Sequence, residues 1–119
     1  MIVVNIVKKD DWIRKPFHSF KSYEYNTRLS MDEFNILKQG HIPDVMEDKW
    51  FIYCDEKSIN YIRSWTGTQI YKGLYKIENN ECLIYSLQIN DNKKEYRPFS
   101  IYFSLGLFEN LIDSMVSDS

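Results

Sequence analysis

Between Lys49 and Ile89 the chain carries four β-like runs, each parted from the next by residues suited to a tight turn. That spacing leaves room for little except an antiparallel meander. Trp50 to Cys54 is almost continuously apolar, as a strand covered on both faces must be, and Asp55-Glu56-Lys57 turns it. Ser58 to Trp65 is the expected second strand. Thr66-Gly67 leads into a third over Thr68 to Ile77. Asn79-Asn80 accepts the positive φ of a two-residue hairpin turn ahead of a fourth, Glu81 to Ile89.

Helices are expected on either side of this block. Ser30 and Glu33 have capping-box spacing and Gly40 supplies a stop, which predicts a helix from Met31 to Gln39 with Phe34 and Leu37 buried. Gly40 to Asp44 then redirects the chain. After the polar loop Asn90 to Lys94, Pro98 suits the first turn of a helix running to about Val116. Ile101, Leu105, Phe108, Ile112 and Met115 recur at helical spacing and form one apolar stripe. Met1 to Val7 reads as a strand, Phe20 to Tyr25 as an additional one, and Asp10 to Phe17 as irregular connection. The expected fold is therefore α+β: an antiparallel meander of four to six strands packed against a C-terminal helix and a short second helix. At 119 residues it forms one domain, 1–119.

Composition narrows function mainly by exclusion. A net charge of −2 provides no overall field for nucleic acid or anionic lipid. The apolar start is too short for a signal-peptide core, and no run reaches the roughly 18 apolar residues of a membrane span, so a cytoplasmic protein without membrane contact is expected. Cys54 and Cys82 lack zinc or redox spacing and read as buried free thiols, with a structural disulfide as the minor alternative. His18 and His41 lie in different segments without metal-ligand spacing, and the four glycines are too scattered for a phosphate loop. No metal, no cofactor and no catalytic residue is expected. Glu47 or Asp48 could act as a general acid or base beside Arg63, but neighbouring strand residues face opposite ways and cannot simply pair.

The segment Ile59 to Gly67 is the most informative for binding, since strand alternation places Ile59, Tyr61, Arg63 and Trp65 on one face. A guanidinium among aromatic rings can stack on them while its forked donors remain available to a carboxylate or phosphate. Tyr61, Arg63, Trp65 and Glu47 are the candidate ligand residues. The alternative is structural, with Arg63 paired to Glu47 or Asp48 and fixing the hairpin.

Met46 to Tyr53, followed by Arg63-Ser64-Trp65-Thr66-Gly67 and Ile70-Tyr71, resembles a family of small bacterial proteins over about a quarter of the chain. The resemblance implies a bacterial or phage origin and a shared hairpin core. No activity attaches to that family, so it transfers no catalytic residue.

Rings and cations also interleave from Trp12 to Arg28, with Arg14, Lys15, Phe20 and Lys21 among them. Residues 1–28 hold six Lys/Arg against three Asp/Glu, a small excess for phosphate binding, and nucleic acid is not expected as a partner. The leading expectation is a non-enzymatic interaction module of the immunity, antitoxin or defence kind, built on aromatic anchors and engaging a protein partner. The alternative is a small, anionic, nucleotide-like ligand held by the Arg63 strand face. A homodimer through an uncovered strand is a further expectation. A solvated cleft beside Arg63 would favour the ligand or an enzyme using Glu47 or Asp48, and the C-terminal helix covering Arg63 would favour the protein partner.

Overall fold

The computed structural model describes residues 6–98 and 100–117. Five strands form one antiparallel sheet: β1 (Phe20–Ser30), β2 (Trp50–Cys54), β3 (Ser58–Arg63), β4 (Gln69–Glu78) and β5 (Glu81–Asn90), in the spatial order β1-β5-β4-β3-β2. The meander expected from the sequence is strands β2 to β5. β1 closes the sheet beside β5, longer than the expected Phe20 to Tyr25 and bulged between Glu24 and Thr27. Asn79 and Asn80 have φ of 51° and 60°, as the two-residue β4–β5 turn requires.

Helix α1 (Met31–Lys38) begins at the expected capping box: the Glu33 N–H donates to Ser30 Oγ at 3.1 Å and the Ser30 N–H to Glu33 Oε1 at 3.0 Å. Gly40, at φ 75°, follows in the left-handed conformation. Helix α2 (Ile101–Ser117) starts later than Pro98 suggested. The Phe103 N–H donates to Ser100 Oγ at 3.1 Å, which satisfies one of the free donors of the first turn.

Both helices cover the same sheet face. The α2 stripe buries Phe108 and Ile112 against Tyr61 and Tyr71, whose ring centroids lie 5.5 and 5.7 Å from that of Phe108. Gly73 makes the approach possible, since a Cβ there would sit 2.9 Å from Phe108 Cζ. Phe34 of α1 packs on Tyr75 at 4.9 Å.

The opposite face shows what the sequence reading left unassigned. Alternation turns Phe51, Tyr53 and Ile62 to that side, and Val7 and Trp12 pack over them as a second small core. The expected connection over 10–17 is thus partly ordered. A 3-10 turn (Lys9–Asp11) leads into it, and Lys15 then bridges to Thr68 in parallel, taking the place beside β4 that β5 no longer fills. Of the strand expected over 1–7, residues 1–5 lie outside the described residues, and Val7 is not in a strand; its N–H donates to the Gln39 carbonyl at 3.0 Å.

Candidate functional site

The site grows from the end of the β2–β3 hairpin. A register of Cys54 opposite Ile59 carries through to Trp50 opposite Arg63, so the two side chains emerge as cross-strand neighbours on the helix-covered face. The Arg63 guanidinium carbon lies 4.7 Å from the centroid of the Trp50 ring, a cation–π contact. Tyr61 and Tyr71 hold Trp50 from behind, edge-on at 5.7 Å and stacked at 5.9 Å. Helix α2 borders this end of the sheet through Phe103 and Leu107 and leaves it open. Arg63 is half-buried in the wall of an open cleft of about 940 Å³.

Strand β3 ends at Arg63, not at Trp65. Ser64 to Thr66 form a turn that throws Trp65 outward, 69% exposed, with its indole N–H donating to the Met46 carbonyl at 3.0 Å. The loop before β2 is laced to the same turn: Ser64 Oγ donates to the Asp48 carbonyl at 2.6 Å, and the Ser64 N–H to the Lys49 carbonyl at 2.9 Å. Inside that loop Asp48 accepts from the Asp44 N–H at 2.8 Å and lies 3.3 Å from His41 Nε2. The Asp44 N–H outweighs desolvation and, with a smaller contribution from His41, holds the Asp48 carboxyl below its ordinary pKa. These ties fix one wall of the cleft and bring Met46, Glu47 and Lys49 onto it.

The far wall comes from the loop after β5 and from α2, through Glu95, Tyr96, Arg97 and Phe103. Tyr96 is anchored by hydroxyls at 2.7 Å from Tyr71 and 2.9 Å from Ser104. Burial, then the bond to Tyr96, raises the Tyr71 phenol far above its ordinary pKa, so this side chain is neutral and serves as a strut. Three cations, Lys49, Arg63 and Arg97, face two carboxylates, and Glu95 is already engaged by the Asn90 amide at 3.0 Å.

Of the four candidate residues, Arg63, Trp65 and Glu47 line the cleft. Tyr61 does not. It is fully buried, its hydroxyl donating to Met115 Sδ at 3.5 Å, and it contributes by supporting Trp50. Arg63 stacks on Trp50, on the neighbouring strand, where the sequence suggested a stack between Tyr61 and Trp65. The expected alternative of an ion pair is also not formed: among the described residues, no carboxylate lies within 4.0 Å of Arg63, and Asp48 is turned to His41.

The basic front segment is split between surfaces. Trp12 donates its indole N–H to the Ser64 carbonyl at 2.8 Å and Arg14 lies over the Tyr53 ring, whereas Lys21 and Tyr23 lie on the edge strand β1 and line a different cleft. Cys54 and Cys82 are free thiols whose pKa values burial pushes up to about 12 and about 11, which keeps them unreactive near neutrality. Among the described residues, no group of three His, Cys, Asp or Glu is placed to hold a metal ion, and no helix is long and apolar enough to cross a membrane.

Comparison with protein-family models, with curated proteins and with solved structures gives no match. The chemistry of the cleft is therefore what speaks to function.

Proposed function

We propose that the chain is a binding module that takes a small anionic ligand bearing an aromatic ring, of the mononucleotide kind, in the Arg63 cleft. The observation that carries this reading is a guanidinium held against Trp50, at the wall of an open cleft, without a carboxylate partner among the described residues. An arginine so placed has its orientation fixed by the ring while its forked donors remain free for a phosphate. Trp65 and Phe103, 69% and 53% exposed, offer apolar faces for the ring of the ligand. The volume of about 940 Å³ lies within the range of roughly 300–1,000 Å³ typical of ligand sites.

A thermal-shift screen with the four ribonucleoside monophosphates, run beside Arg63→Ala, tests this. A ligand present at 100 times its Kd adds about 2.7 kcal/mol, which in a domain of this size raises Tm by several degrees. The expected result is a shift in the native chain that Arg63→Ala loses. Absence of any shift, or the same shift in the variant, would remove the reading.

A protein partner is the second reading, and one observation favours it. Met46 is 72% exposed, and Met46 and Trp65 also border a smaller hollow of about 390 Å³ shared with Trp12 and Val45, so the apolar surface continues beyond the cleft.

A further inference from the structure

A second cleft of about 700 Å³ opens on the other side of Tyr96, Arg97 and Pro98, and those three residues line both clefts. Its own cations are Lys21 of β1 and Lys93 of the loop after β5, set against one carboxylate, Asp91. Tyr23 provides a ring. Both lysines are exposed, and among the described residues neither lies within 4.0 Å of a carboxylate. Arg97 lines both openings, and its Nε–H donates to the Lys93 carbonyl at 3.0 Å, which restrains the guanidinium.

Ring and cation thus occur twice, with one arginine between the two sets. We infer that the two clefts act as one elongated site for a linear dinucleotide. The first nucleotide unit occupies the Arg63 cleft, the linking phosphodiester passes over Arg97, and the second unit lies beside Lys21, Tyr23 and Lys93. This inference rests on the mononucleotide reading of the Arg63 cleft. Each cleft is large enough for one unit; the 5′ phosphate meets Arg63 and Lys49, and the linking phosphodiester is the charge that Arg97 shares with Lys21 and Lys93. Binding of the second unit is intramolecular once the first is seated, so weak contacts in the second cleft translate into a sizeable gain in affinity.

Isothermal titration with AMP, with the 5′-phosphorylated dinucleotide pApA and with the matching hexanucleotide separates the possibilities. The expected result is that pApA binds at least tenfold more tightly than AMP, and that this ratio falls below threefold in a Lys21→Ala/Lys93→Ala variant. Both substitutions are at exposed lysines, and circular dichroism checks that the fold is retained. A ratio near one in the native chain, or a ratio unchanged in the variant, overturns the inference while leaving mononucleotide binding in place. A hexanucleotide binding more than tenfold tighter than pApA overturns the two-unit limit and assigns the groove to longer strands. Binding by none of the three overturns both the inference and the reading on which it rests.

Discussion

Arg63 owes its accessibility to where β3 stops. One residue further the chain turns, so Arg63 is the last side chain of its row, with Tyr61 buried on one side and solvent on the other. Its partner was within reach of the sequence. Once Asp55 to Lys57 are taken as the turn between β2 and β3, counting outward places Trp50 opposite Arg63. Alternation along a single strand pointed instead to Tyr61 and Trp65, since it ignores the neighbouring strand. That turn depends on one carboxylate. Asp55 Oδ1 accepts from the Lys57 N–H at 2.9 Å, the Ser58 N–H at 2.7 Å and Ser58 Oγ at 2.8 Å. Partial burial alone would raise the Asp55 pKa, but these donors, with the Lys72 charge, outweigh it and hold the carboxyl below its ordinary value. Its contribution to stability is then complete above the unfolded-state value of about 3.9 and disappears as pH falls through the lower folded-state value. Asp55→Asn keeps an acceptor oxygen and cannot titrate. In urea titrations across pH 2 to 7, the native chain should be the more stable above pH 4 by about 1 kcal/mol, a figure kept small by solvent screening of a partly exposed carboxylate, and that advantage should vanish toward pH 2.

Among the elements, β2 to β5 and both helices were legible because each carries its own signal: a turn, a cap or a period of side chains. The C-terminal stripe identified Phe108 and Ile112 as core without saying what they would meet. Their partner is a gap in β4. Gly73 lies beneath the end of the Phe108 ring, and the ring is fully buried and cannot swing aside. Gly106 is the opposite case, an exposed glycine inside α2 where an added Cβ would meet nothing within 4 Å. Gly73→Ala should therefore destabilise by about 1–3 kcal/mol through overpacking. Gly106→Ala should stabilise by roughly 0.5–1 kcal/mol through helix propensity. Denaturant midpoints measure both, and equal signs for the two would show that α2 does not seat on β4 as described.

At the scale of the whole molecule, two features lay outside what local patterns carry. The front segment has no period, yet it supplies Val7 and Trp12 to the second core because the β2–β3 hairpin turns Phe51, Tyr53 and Ile62 to a face without a helix. The far wall of the cleft depends on how α2 crosses the sheet, which brings Tyr96, Arg97 and Phe103 to Arg63 from a distant part of the sequence. No run of residues encodes that meeting; it follows from packing Phe108 on Tyr61, Tyr71 and Gly73. Binding in the cleft therefore has a signature scattered in sequence and local in space. The most direct test is a heteronuclear NMR titration with AMP that follows backbone amides, the tryptophan indoles and the arginine side chains. Shifts should concentrate at Arg63, Arg97, the Trp65 indole and the Met46 to Lys49 loop, with little change along the open edge of β1. A titration that leaves Arg63 and Trp65 unmoved at millimolar AMP, or that moves residues far from the cleft in their place, would contradict a ligand site there.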